Sequence, residues 1–252
     1  MKNNVILLLL LLPGLLSCND TGSNLRPDIT TSDAVKANIN LGVEYMRMGD
    51  YNKALDRLER ARKMDTGYYE TYNMLGMLYQ QLGEMKDAER SFKKALSLNN
   101  NDPATLNNYG QLQYVLHQYD KAIGLFMQAA SNPLYQTPEI AYYNAGRCEQ
   151  AKKDNAAAER YYRRALQISP KMPESLIRMS EISFAKKNYL SARGYLQRYL
   201  AVAKHTAATL WLGIQIERKL GDANAVSSYA LLLRNTFPDS KEAALLEQSG
   251  IR

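Results

Sequence analysis

The sequence has little of what chemistry needs. Its 252 residues include two histidines and two cysteines, and no HExxH, GxSxG, glycine-rich phosphate loop or Cys/His metal spacing occurs. His117 falls in a helix turn and His205 in a connection between helical segments. The carboxylates are scattered over helix exteriors, where pairing with a cation one turn away is ordinary. The inventory argues against an enzyme and implies no metal, no cofactor and no small-molecule substrate. Long apolar runs are scarce as well. Val5 to Leu12 is an apolar stretch of about eight residues, where a membrane span takes roughly 20. Disulfides are excluded once Cys18 is committed elsewhere, because Cys148 then has no partner. Cys148 stands in a helical stripe between Arg147 and Glu149, which predicts a half-buried, inert thiol.

The first residues address the compartment. Lys2 gives a short positive region, the apolar run follows, and Leu15-Leu16-Ser17-Cys18 closes it. This ending resembles a bacterial lipobox, which implies a signal peptide over 1–17 and lipidation of Cys18. Asn19 follows the cysteine, in place of the aspartate associated with inner-membrane retention, so the resemblance favours the outer membrane. Three acyl chains exceed the two signals that stable anchoring requires. The next segment, NDTGSNLRPDITTS, is polar and without periodicity, so a flexible tether is expected over 18–33.

The remainder repeats itself. A small residue recurs at Gly42, Gly76, Gly110, Gly146, Ser180 and Gly213, at steps of 34, 34, 36, 34 and 33. An alanine keeps pace at Ala54, Ala88, Ala122, Ala158, Ala192 and Ala225. Within each period two apolar stripes of helical spacing flank a short polar turn, as in Tyr69 to Asp102, where Tyr72, Leu75, Gly76 and Tyr79 precede Ala88, Phe92 and Ala95. A helical hairpin of this kind cannot bury its own apolar face and needs copies on both sides. The period and its columns resemble the tetratricopeptide repeat. The expected fold is all-α: a right-handed superhelix of six repeats over 34–252, at about 35–68, 69–102, 103–136, 139–172, 173–205 and 206–239. A capping helix, Lys241 to Gln248, follows with an outer face expected to be polar. The two-residue excess lies in Asn132–Pro138, where two prolines and Tyr135 predict a stiffened loop.

Such a superhelix has a concave groove lined by first helices. Usual repeat geometry selects Asn73, Met77 and Gln80; Asn107, Gln111 and Tyr114; Tyr143, Arg147 and Gln150; and Ile177, Glu181 and Phe184. Amides beside aromatic and aliphatic groups suit a peptide, whose backbone pairs with amides while its side chains fill apolar pockets. Repeats that clamp a C-terminal carboxylate in the first repeat carry Lys and Asn where this chain has Ile39 and Val43, so that subtype is rejected. The formal charge is +7, with basic runs at Lys152-Lys153, Arg160 to Arg164 and Lys186-Lys187. These fall on second helices and turns, which favours a solvated outer face over a nucleic-acid site.

Taken together, the lipobox, the tether, Leu106-Asn107-Asn108-Tyr109-Gly110, the Asn132-Pro133-Leu134-Tyr135 loop, Leu210-Trp211-Leu212-Gly213-Ile214 and the closing YALLLRNTFP resemble the outer-membrane lipoproteins of type IV pilus biogenesis. The resemblance implies a pilotin: a scaffold, lipid-anchored at the periplasmic face of the outer membrane, that binds pilus secretin subunits and promotes their insertion and multimerisation; a monomer is expected. It assigns no contact residues, and the groove residues above come from helix geometry alone. An envelope adaptor for peptidoglycan enzymes or outer-membrane protein assembly is the alternative.

Overall fold

The structure is a computed structural model, and it describes residues 30–250. Cys18, the signal region and most of the expected tether lie outside the described residues. Thirteen helices follow in order among the described residues: α1 Thr31–Arg47, α2 Tyr51–Met64, α3 Tyr69–Gln81, α4 Met85–Leu98, α5 Pro103–Val115, α6 Tyr119–Ser131, α7 Pro138–Ala151, α8 Asn155–Ile168, α9 Pro173–Ala185, α10 Tyr189–Leu200, α11 Ala207–Leu220, α12 Ala223–Thr236 and α13 Lys241–Gln248. They form six antiparallel pairs and a cap, stacked as a solenoid in which each helix packs on its successor in the chain.

Local chemistry sets the helix ends. Asp50, Asp102, Asp154, Asn188 and Asp222 each accept a hydrogen bond from the backbone N–H three residues on, at 2.7–3.2 Å. Proline occupies the first position of α5, α7 and α9, where its missing N–H costs nothing. The first helix begins earlier than its apolar pattern suggests. Thr30 and Asp33 cap each other's backbone reciprocally, so helix reaches back to Thr31, into the end of the stretch expected as tether. The turn inside each pair needs one residue with positive φ. Gly49, Gly83 and Gly221 supply it in three repeats, and His117, Lys153 and Lys187 adopt it at φ 58–67° in the others.

Packing explains the column of small residues. A Cβ on Gly76, Gly110 or Gly146 would stand 2.6–2.7 Å from the ring of Phe92, Phe126 or Tyr162, sixteen residues later in each case. Gly42 meets Leu58 and Gly213 meets Tyr229 in the same way. In the fifth repeat Ser180 replaces glycine, the residue sixteen later is the smaller Leu196, both are buried, and Ser180 donates its hydroxyl to the carbonyl of Ala192 at 2.8 Å. The paired alanines at 54, 88, 122, 158 and 192 are fully buried. Cys148 is fully buried too, where the sequence predicted half-burial, because it points at the seam of α6 and α7.

Two connections depart from the template. In the inserted loop, Asn132 donates to the carbonyl of Asn101 at 2.8 Å and accepts from the N–H of Leu134, while Tyr135 packs against the core of α6 and α7. At the end of the array, α13 buries Ala243 and Leu246 against α11 and α12. Its outer side is less polar than expected, since Leu245 is exposed and Glu242 is buried.

Candidate peptide-binding groove

First helices of consecutive repeats touch one another: α1 on α3, α3 on α5, α5 on α7, and α9 on α11. Second helices touch first helices instead of each other, so the stack curves with the first helices inside. The groove is therefore lined by first helices, and its geometry follows from how one meets the next.

That meeting has a rule. The residue three before the small position of one repeat contacts the residue two before the small position of the next. Asn108 donates to Asn73 Oδ1 at 3.1 Å, Asn144 donates to Asn107 Oδ1 at 3.2 Å, and the Arg178 guanidinium lies beside Tyr143. Toward the N-terminal end the same pair is apolar, with Ile39 and Met74 in one core cluster. Asn73, Asn107 and Asn144 are at most 7 % exposed, so their amides are consumed by the repeat interface. Asn108 also donates to the Met77 sulfur at 3.2 Å.

Outside this ladder lies the open floor of the groove. Met77, Gln80, Gln81, Asn108 and Gln111 line a cleft of about 160 Å³. Gln80 and Gln111 continue into a second of about 100 Å³, with Tyr114, Val115, Phe126, Asn144 and Arg147. Arg147 lies over two rings, its guanidinium carbon 4.5 Å from the centre of Tyr114 and 5.9 Å from that of Tyr143. It donates to Asn144 Oδ1 at 3.4 Å.

The structure thus brings Met77, Gln80, Gln111, Tyr114, Tyr143 and Arg147 together over repeats two to four. The other expected residues are differently placed. Asn73 and Asn107 are buried in the ladder, and Gln150 accepts the hydroxyl of Tyr162 at 2.9 Å. In the fifth repeat, Ile177 and Phe184 pack on the core between α10 and α11, and Glu181 is paired with Arg178 at 2.9 Å. Asn108, Asn144 and Gln81 belong to the floor or its support and were missed. The Asn107-Asn108 doublet was their signal, since one asparagine of such a pair faces the neighbouring repeat on each side. Of the basic runs, Lys152 pairs with Asp120 and Glu149, and both Lys186 and Arg163 pair with Glu159. Among the described residues no group of three or more His, Cys, Asp or Glu is placed to hold a metal ion.

Six stacked helical pairs around an amide and aromatic groove define a tetratricopeptide-repeat protein. Family models described as tetratricopeptide repeat match residues 33–101, 73–134 and 107–173, together more than half of the chain, and the chain belongs to that family. The type IV pilus assembly protein PilF of Pseudomonas aeruginosa is 27% identical over 238 residues, 94% of each chain. A solved structure of that organism's PilF matches with a TM-score of 0.80 at 26% identity, covering 87% of this chain and 99% of the other. The structure of PilW, described as a widely conserved type IV pilus biogenesis factor, matches at 0.75 and 29%, covering 84% and 97%. The chain is a PilF/PilW-like tetratricopeptide-repeat protein.

Proposed function

We propose that this chain is a type IV pilus biogenesis factor that acts as an outer-membrane-anchored pilotin, binding pilus secretin subunits and promoting their multimerisation. The observation that carries the reading is likeness to PilF and PilW over 84–94% of this chain and 94–99% of theirs. Local features agree with it. A groove of amides, stacked rings and one arginine offers a peptide backbone partners and its side chains pockets. Among the described residues no helix is long and apolar enough to cross a membrane, so attachment falls to the N-terminal segment, where Cys18 is the proposed lipid acceptor.

Deletion of the gene, followed by gel analysis of secretin multimers and a twitching assay, tests the function. Loss of multimers and motility is expected, and normal multimers with normal pili would sink it. Pull-down of the cognate secretin by the chain tests the contact directly. Cys18→Ala should move the protein from the membrane to the periplasmic fraction; unchanged fractionation refutes the lipid anchor.

A further inference from the structure

We infer that the groove reads a carboxylate at Arg147, so that the segment it binds carries an aspartate or glutamate side chain at that point. The inference rests on the groove reading above, but not on the partner being a secretin.

The counter-charge comes first. Arg147 is half-buried, its guanidinium has five N–H donors, and one of them reaches Asn144 Oδ1 at 3.4 Å. None of the ion pairs among the described residues includes it. The other arginine on this side, Arg178, is neutralised by Glu181 at 2.9 Å. A guanidinium partly withdrawn from water with no anion beside it is an incomplete arrangement, and a carboxylate completes it with charge-assisted, bidentate hydrogen bonds.

Rigidity comes second. Tyr114 is braced by Tyr119, ring centres 5.6 Å apart, and the Tyr119 hydroxyl is 2.8 Å from His117 Nδ1. Tyr143 is braced by Tyr162 at 5.7 Å, and the Tyr162 hydroxyl is held by Gln150. Both plates that hold Arg147 are themselves fixed, so little side-chain freedom is lost when an anion arrives.

Additional donors come third. Gln80 and Gln111 line the same cleft as Arg147, and their side-chain amides make no hydrogen bond to the described residues. Their amides are free to bond the second carboxylate oxygen or the backbone next to it. Lysine at position 147 would keep the charge and lose both the planar stack and the fork.

The test selects a random-peptide phage library on the purified chain, on Arg147→Lys and on Arg147→Glu, with circular dichroism confirming that each variant keeps its helicity. Peptides from the native chain should share an Asp or Glu at one position. That preference should weaken with Arg147→Lys and turn to Lys or Arg with Arg147→Glu. Synthetic copies of the selected peptides, with amidated or free C-termini and with Asp→Asn or Glu→Gln, then test the side chain itself; binding that depends on a free C-terminus and survives Asp→Asn or Glu→Gln would overturn the inference. Neutralising the relevant carboxylate should weaken binding roughly 10- to 100-fold, as expected for losing a charged hydrogen-bonded pair. Selection without acidic preference, an acidic preference unchanged in Arg147→Glu, or no peptide enrichment at all would overturn the inference. Acidic preference in a chain that fails to capture the secretin would overturn the partner and leave the subsite standing.

Discussion

Asn144 donates its side-chain amide to Asn107 Oδ1 at 3.2 Å, joining the first helices of two repeats across 37 positions of sequence with both residues buried. The bond has an asymmetric energetic consequence. Truncating one partner leaves the other amide dehydrated and unpaired, which costs about 1–3 kcal/mol, whereas replacing both by apolar groups restores a consistent interface. Asn144→Ala should therefore lower the thermal midpoint clearly, and Asn107→Leu with Asn144→Leu should lower it less than the two single changes combined. A thermal or urea melt followed by circular dichroism decides. Additive losses would mean that the pair is not coupled.

Gly76 and Phe92 make a second prediction. A Cβ on Gly76 would stand 2.7–2.8 Å from three atoms of the Phe92 ring, too close for either to remain in place. Gly76→Ala should destabilise by about 1–3 kcal/mol, the usual cost of overpacking a filled core. Adding Phe92→Leu should cost less in the Gly76→Ala background than in the native one, because the fifth repeat already combines a larger small-column residue, Ser180, with Leu196. Equal cost in both backgrounds would place the strain elsewhere.

These two pairs also mark how far the sequence could be read. Gly76 and Phe92 lie in one repeat, their spacing recurs in every copy, and the hairpin they seal follows from helical periodicity. Asn107 and Asn144 belong to different repeats, and their contact depends on the angle at which one hairpin stacks on the next. Nothing in the periodicity of a single copy states that angle. Hence the column containing Asn73 and Asn107 looked like groove floor, although it is the underside of the next first helix. The helical pattern puts Arg147 on the same side of its helix as Tyr143, but its approach to the Tyr114 ring of the preceding repeat needs two helices in three dimensions. Thr30 was hidden for a different reason: a reciprocal cap extended α1 beyond the start of its apolar stripe.

Cys148 supplies a reporter of local opening. Burial pushes its thiol up to about 12, so almost no thiolate, the reactive form, exists at mildly alkaline pH in the folded chain. In a Cys18→Ala background it is the single thiol of the chain. Labelling by N-ethylmaleimide should then be negligible in buffer and should rise with urea in step with the loss of helicity. Rapid, complete labelling of the folded protein would show that the seam between α6 and α7 opens freely.

Glu89 links acid sensitivity to one cluster. It accepts from the Tyr109 hydroxyl at 2.8 Å, with Lys93 and Lys121 at 3.1 and 3.2 Å, tying α4 to α5 and α6. The Tyr109 hydrogen bond, helped by the lysines, lowers its carboxyl from an ordinary 4.5 to about 2. A carboxyl that is more acidic in the folded state than in the unfolded state adds stability that is complete above its unfolded value. That stability is lost as pH falls toward the folded value. The stability gap between the native chain and Glu89→Gln should accordingly be constant above pH 4.5 and close steadily as pH approaches 2. Urea titrations across that interval measure it. A gap that stays constant through the interval would show that the carboxylate charge contributes nothing to the bond, and that Tyr109 holds a glutamine as well as it holds a glutamate.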